Sequence, residues 1–150
     1  MEHFKNKAES VFREIRSVEI FRSTDISYQD NLDRVFPTID PLYKFDIASE
    51  TYSRKLLTKT KTGNYLYDID LGFTVLDLDE TTIAKCYEYF NKKGFAIVMY
   101  SNVDRQMLGN DREPLTIEFI DGKKEDGSGS DDCNISITGK TILPPIPKSI

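Results

Sequence analysis

The residues best suited to chemistry are two aspartates that follow an apolar stretch, Asp77 and Asp79 in the segment VLDLDETT. Two carboxylates at the carboxyl end of a strand can hold Mg²⁺, and one of them can attack phosphorus. The same residue type also begins helices, because its side-chain oxygen accepts a hydrogen bond from a backbone N–H. The segment therefore indicates either phosphoryl chemistry or helix capping.

VLDLDETT resembles the first motif of the haloacid dehalogenase-like phosphatases. The resemblance implies a nucleophile at Asp77, an acid-base group at Asp79 and a second-motif hydroxyl at Ser101. However, the preceding stretch alternates apolar and polar residues, whereas a central parallel strand of that fold is apolar on both faces. Thr82 already begins the pattern of the next helix, which leaves no room for the family's flap. We therefore favour helix capping, and we expect neither catalysis nor a cofactor.

A second acidic motif, DGSGS from Asp126 to Ser130, resembles the DxSxS metal site of von Willebrand factor A-like domains. That resemblance implies a buried strand before the motif, but a charged run stands there instead. Glycine, serine and mixed charge are typical of a turn or loop. We therefore predict a mobile hairpin tip. Weak cation binding stays open for four acids of this segment: Glu125, Asp126, Asp131 and Asp132.

Other catalytic constellations cannot be built from this sequence. Its one histidine, His3, stands in the first turn with no neighbouring constellation of acids or cysteines, so no Ser-His-Asp or Cys-His arrangement can be built. Gly139-Lys140-Thr141 lacks the earlier glycine of a phosphate-binding loop. Cys86 and Cys133 are too few for a disulfide scaffold, and we predict two free, buried thiols.

The composition is that of an ordinary globular domain. The chain has 150 residues, 39% of them apolar and 30% charged, which is enough for one hydrophobic core. A pI near 5.0 argues against nucleic acid as a partner, since binding phosphates needs clustered Lys and Arg. No apolar run approaches the roughly 18 residues of a membrane helix, and the first residues lack the apolar stretch of a signal peptide. We expect no membrane contact and no secretion by a signal peptide.

Periodicity predicts a helix and short strands in the first part of the chain. Apolar residues recur every three or four positions over 2–18, which indicates an amphipathic N-terminal helix. Residues 21–41 are predicted to form an ordered loop with one or two helical turns near Ser27. Alternation over 43–47 predicts a strand, and 52–60 fits a helix and a strand equally well.

The second part of the chain shows stronger signals. Alternation over 65–75 predicts a long strand with one buried face, and 82–93 predicts a helix ended by Gly94 in the left-handed conformation. The continuous apolar run 95–100 predicts a central strand buried on both faces. Residues 101–114 are predicted to form a polar loop. Two final alternating segments predict a hairpin joined by DGKKEDGSGSDD.

Together these elements predict an α+β fold. An N-terminal amphipathic helix and a second helix would pack on a mixed, mainly antiparallel sheet with a long C-terminal β-hairpin. Residues 1–143 would form a single domain, and the prolines of 144–150 would make a C-terminal arm. Charge is uneven, because 11 basic and 10 acidic residues lie in 1–63 against 9 and 15 in 64–150. The acidity concentrates around the hairpin connection.

The element order and the acidic hairpin LTIEFIDGKKEDGSGSDDCNISITGKTI resemble the small neck, tail-completion and connector proteins of tailed bacteriophages. The resemblance implies a non-catalytic virion protein that forms homo-oligomeric rings or contacts virion neighbours, in the virion or the host cytoplasm. The alternatives are the Mg²⁺-dependent phosphatase and a small intracellular binding or inhibitor protein. The residues expected to make contacts lie in the hairpin and the arm: Asp121, Lys123, Lys124, Glu125, Asp126, Asp131, Asp132, Pro144, Pro145 and Pro147.

Overall fold

The protein is built mainly of β-strands. The computed structural model describes residues 14–29, 35–61, 64–76, 78–122, 127 and 132–149. In these ranges it has one α-helix, α1 at Glu80–Tyr89, and a short 3-10 turn at Ser23–Asp25. The strands are β1 Ile15–Arg22, β2 Tyr43–Asp46, β3 Ser53–Lys61, β4 Asn64–Leu76, β5 Lys92–Ser101, β6 Asp104–Leu108, β7 Leu115–Gly122, β8 Asp132–Thr141 and β9 Lys148–Ser149.

All nine strands belong to one curled sheet in which every pairing is antiparallel. The main order is β2-β1-β5-β7-β8-β4-β3, and β6 continues beyond β7 along the same edge of β5. β9 then pairs with β6. The sheet curls so that its far end returns over the middle. A hydrogen bond shows this contact, since Arg54 of β3 donates to Gln106 of β6 at 2.9 Å.

The main core lies inside the curl and is closed by α1. β4 contributes one face of its alternating sequence, and Cys86 of α1 and Phe90, which caps the end of α1, are buried against the sheet. The Phe90 ring packs edge-on against Phe95 of β5 at 5.4 Å between centroids. The predicted half-buried strand over 65–75 is therefore confirmed, with these residues buried: Ile69, Leu71, Phe73 and Val75.

A smaller core lies on the opposite face of β1, β5 and β6. It consists of Phe21, Ile26, Phe36, Ala96, Val98 and Met107, with Tyr100 packed against it. β5 therefore has an apolar cluster on each face, since Phe95, Ile97 and Met99 belong to the main core. The predicted central strand over 95–100 is confirmed, and its continuous apolar run follows from this double burial.

The predicted α+β class is wrong. The N-terminal helix over 2–18 cannot extend to Val18, because β1 begins at Ile15 and pairs with both β2 and β5. Residues 1–13 lie outside the described residues. A spacing of three between Ile15 and Val18 fits a helix, but Val18 and Ile20 also alternate with Glu19, and sheet pairing buries both apolar side chains.

The structure also settles one prediction that was left open and corrects two others. The ambiguous segment 52–60 is strand β3, and the predicted polar loop 101–114 contains strand β6. The helix predicted over 82–93 ends at Tyr89, because Asn91 rather than Gly94 reverses the chain at φ 66°. Asn91 also donates from its N–H to Ile117 O at 2.7 Å and accepts from Phe119 N–H at 2.9 Å. The helical turns predicted near Ser27 fall partly on 30–34, outside the described residues.

Candidate functional site

Asp79 is a helix cap in the structure. Its Oδ1 accepts a hydrogen bond from Thr82 N–H at 2.7 Å, at the first turn of α1. Hydrogen bonding from the side chain and the backbone N–H of Thr82 holds the pKa of the Asp79 carboxyl below its usual value. The predicted capping role is confirmed for Asp79, whereas Asp77 lies outside the described residues. Ser101 of the supposed phosphatase motif is buried and bonded within its own turn, to Asp104 Oδ1 at 2.7 Å.

The predicted C-terminal hairpin is formed by β7 and β8. The register aligns Asp121 with Cys133 and Gly122 with Asp132, where the described part of the hairpin ends. Asp121 and Asp132 are half-buried. Five of the other predicted contact residues fall outside the described residues: Lys123, Lys124, Glu125, Asp126 and Asp131.

The proline-rich tail follows β8 and returns to the sheet. Pro144 and Pro145 are half-buried and Pro147 is exposed. Beyond them, β9 pairs with β6 through Lys148 opposite Arg105. Part of the segment predicted as a C-terminal arm, 144–150, therefore pairs with the edge of the described sheet.

Strand β3 forms one end of the sheet order. It pairs with β4 along nine residues, and among the described residues no strand pairs with its other edge. Its sequence SRKLLTKTK carries four cations and no acid. β3 is thus a long strand of basic sequence at the end of the sheet order.

A groove of about 510 Å³ opens where β7 begins and β8 ends. Three cations line it: Lys93 from β5, Arg112 from the loop before β7, and Lys140 from β8. All three are exposed. Two carboxylates, Asp68 and Glu113, also line it, and we call this surface the basic groove.

The loop that supplies Arg112 is held by a local hydrogen-bond network. Asn110 Oδ1 accepts from the N–H groups of Arg112 and Glu113, both at 2.9 Å. Glu113 uses both carboxylate oxygens, since Thr141 Oγ1 donates to one at 2.8 Å and Ile142 N–H to the other at 2.7 Å. The Arg112 guanidinium lies 4.8 Å from the centre of the Tyr28 ring. The loop is therefore rigidly built, and its carboxylate is engaged within the protein.

Sequence reasoning missed this groove. Its three cations are 19 and 28 residues apart along the chain, so no local motif joins them. The prediction over 101–114 was only a polar loop, although the string GNDREP, in which Gly, Asn, Asp and Pro favour turns, is a local signal for a tight turn there. Gly139-Lys140-Thr141 lies within β8 rather than in a phosphate-binding loop.

The two cysteines are buried and free, as predicted. Burial raises the pKa of the Cys86 thiol to about 12, with a smaller contribution from nearby Cys133. A thiol with so high a pKa is almost wholly protonated at neutral pH, and the thiolate is the reactive form. Cys86 is therefore a packing residue of the main core.

A cluster of polar and charged groups surrounds Tyr100 on the face of the smaller core. The Arg105 guanidinium lies 4.2 Å from the centre of the Phe36 ring, and Lys44 lies 5.9 Å from that of Tyr100. Burial and the neighbouring Glu19 raise the pKa of Tyr100. Among the described residues, no group of three His, Cys, Asp or Glu side chains could hold a metal ion.

The one α-helix among the described residues is ten residues long, and none there is long and apolar enough to cross a bilayer. Comparison with known proteins identifies no relative. No protein-family model matches the chain, and no curated protein and no solved structure matches it.

Proposed function

We propose that this protein is a non-catalytic structural protein that acts through contacts with other proteins. The observation that carries the proposal is the unpaired edge of β3 in the described sheet. A nine-residue edge presents a row of backbone N–H and C=O groups that an incoming strand can pair with. Main-chain hydrogen bonds then supply affinity.

The charge of β3 restricts which strand can add to it. Lysines on an edge strand are a known means of blocking indiscriminate pairing. Like charges facing each other across a pair of strands are destabilising, so two copies of this basic edge repel. We therefore expect the added strand to be acidic or neutral.

The proposal extends to a component of the neck or tail of a phage virion, on the strength of the acidic hairpin. The helix-first element order that shared in this resemblance is not retained, because 15–22 is a strand. The phosphatase alternative is weakened by Asp79, whose carboxylate oxygen is engaged by Thr82 N–H.

The edge contact can be tested with a matched pair of proline variants, Thr58→Pro and Lys59→Pro. Successive residues of an edge strand direct their N–H groups alternately to the paired and the unpaired side, and proline removes the N–H. One variant should therefore keep the wild-type unfolding midpoint, and the other should lose a bond of the ladder with β4. The well-folded variant is the probe of the free edge.

We expect light scattering and pull-down with tagged protein to show a defined complex, which the well-folded proline variant fails to form. Hydrogen exchange in the complex should slow at alternate amides of 53–61. A wild-type chain that stays monomeric and captures no protein would contradict the proposal. So would Mg²⁺-dependent hydrolysis of a generic phosphate ester that is lost in Asp77→Asn.

A further inference from the structure

The acidic connection of the β7–β8 hairpin and the basic groove lie at opposite ends of the same two strands. Asp132 pairs with Leu76 of β4, and Lys140 pairs with Asp68. Eight residues therefore separate the two positions on β8, and eight separate their partners on β4, which is about 27 Å at the rise of a β-strand. The hairpin is charged differently at its two ends.

The charges of these two ends are complementary. The segment 121–132 has five acids and two lysines, a formal charge of −3. The groove has three exposed cations and two carboxylates, Asp68 and Glu113, a formal charge of +1. Asp68 lies in register with Lys140, and Glu113 accepts hydrogen bonds from Thr141 and Ile142. An acidic segment is therefore a fitting ligand for the excess of positive charge.

The Arg112 side chain is already positioned to bind such a ligand in the free protein. Its backbone is fixed by Asn110, and its guanidinium is placed against Tyr28. Arginine binds carboxylates with two parallel hydrogen bonds, and fixing the side chain beforehand reduces the entropy lost on binding. The basic groove therefore favours carboxylates over a diffuse counterion.

The backbone of the hairpin connection is too short to span its own strands to the groove. Nine residues lie between Gly122 and Asp132, and nine extended residues folded back on themselves reach at most about 16 Å. This is well short of the roughly 27 Å between the two ends of the strands. The connection of a second copy is not subject to this limit.

We infer that the basic groove of one copy receives the acidic β7–β8 connection of a second copy, so that copies join head to tail. This inference rests on the proposed function, because it assumes a protein that works by contact. Two different surfaces meet at such an interface, which makes it heterologous. A heterologous contact gives a closed ring or an open filament, depending on the rotation between neighbours.

Charge reversal provides the test. One variant, the groove variant, carries Lys93→Glu and Lys140→Glu, and the other, the tip variant, carries Glu125→Lys, Asp126→Lys and Asp131→Lys. Each alone should sediment as a monomer at concentrations where the wild type is oligomeric. Mixed in equal amounts they should assemble, because each then offers the charge that the other's surface needs. A control with Arg22→Glu and Lys85→Glu should assemble like the wild type.

Two further measurements complete the test: the dependence of assembly on salt and the binding of a fluorescent oligonucleotide. Raising the salt from about 0.05 M to about 0.5 M should shift the association midpoint at least tenfold, because exposed charges are screened. A wild type that stays monomeric overturns the inference but leaves the β3 contact standing. Assembly that ignores both variants overturns it too, as does a groove variant that loses only the binding of a fluorescent oligonucleotide.

Discussion

A Cβ atom on Gly109 would lie 2.9 Å from the Cα atom of Ala96. Gly109 directly follows β6 and has a φ of +86°, at the point where the chain leaves the edge of β5 and begins the loop that carries Arg112. The same Cβ would lie 3.0 Å from Leu115 Cγ and from Phe95 O. The passage from β6 to β7 along β5 therefore depends on a residue without a side chain.

We predict that Gly109→Ala lowers the free energy of unfolding by about 3 kcal/mol in urea denaturation. A left-handed backbone costs a residue with a Cβ about 1 kcal/mol, and an extra methyl in a packed site costs about 2 kcal/mol. Gly127→Ala is the matched control. Gly127 has a similar φ of +76°, but a Cβ there would meet no described atom within 4 Å. Equal losses in the two variants would show that the close approach to Ala96 is unimportant.

Arg54 and Gln106 form the contact that joins β3 to β6 across the curl. Gln106 is 3% exposed, and its Oε1 accepts from Arg54 Nη1 at 2.9 Å. Gln106→Leu removes the acceptor, so the half-buried Arg54 guanidinium loses this hydrogen bond. We expect a loss of about 2 kcal/mol, in the range of hydrogen bonds to charged groups.

A double-mutant cycle isolates this pair. Arg54→Met combined with Gln106→Leu should recover most of the loss, because neither polar group is then left without its partner. The coupling free energy from urea denaturation should be about 1 to 2 kcal/mol. Additive effects of the two substitutions would mean that the bond does not contribute to closing the sheet.

This pair also shows where sequence reasoning fails. β4 and β5 could be predicted because local patterns, alternation in one and a continuous apolar run in the other, report which faces are buried. β6 has the sequence DRQML, in which a polar Gln106 occupies a core position. Its partner stands 52 residues earlier in the chain, so no local pattern reveals that the glutamine is satisfied.

The end of the helix was predicted wrongly and the basic groove was missed, and both failures have the same reason. Lys92, Lys93 and Gly94 are typical of a helix C-terminus, yet Asn91 reverses the chain because its backbone and side chain bond to β7. Long-range pairing outweighs local preference here. The basic groove likewise joins residues from three separate segments, and only the tertiary structure brings them together.

The Asp79 cap gives a pH-dependent stability with a defined sign. Its pKa is lowered in the folded protein, so its contribution is complete above the unfolded value of 3.8 and is lost as the pH falls through the lowered pKa. Asp79→Ala should therefore lower the thermal midpoint at pH 7 and differ less from the wild type in acid. Glu80→Gln, one residue along, removes the same charge without a cap. A difference that persists unchanged in acid would argue against the cap.

The Cys86 thiol makes stability depend on pH with the opposite sign, in the alkaline range. Its pKa is raised from 9.0 to about 12, so unfolding releases its proton between these values and stability falls as the pH rises above about 9. The slope due to this group is at most about 1.4 kcal/mol per pH unit. Cys86→Ala should show a shallower fall in urea denaturation between pH 8 and pH 10.

The slopes are compared rather than the levels, because Cys86→Ala also leaves a small cavity. Tyr43 and Tyr100 have raised pKa values as well, so some alkaline loss remains in both proteins. At pH 8 a thiol reagent should label neither cysteine of the native protein and both after unfolding. Rapid labelling of native protein would contradict the burial of these thiols.

The last prediction separates folding from assembly in the β7–β8 hairpin. Replacing residues 122–132 with Asn-Gly leaves the pair Asp121 and Cys133 to be joined by a two-residue turn. The register of the hairpin is fixed by buried pairs, Phe119 opposite Ile135 and Ile117 opposite Ile137, which the replacement does not touch. A shorter connection also costs less closure entropy, so the unfolding midpoint should be at least that of the wild type.

The same replacement removes four of the five acids of the segment and should abolish self-association in sedimentation velocity. Glycine-serine replacement of the same segment at its natural length is the matched control, because it removes the acids and keeps the loop. Both variants should fold and remain monomeric if carboxylates make the contact. Assembly by the glycine-serine variant alone would show that the length of the connection, and not its charge, joins the copies. Unfolding of both variants would instead make the connection part of the folding unit.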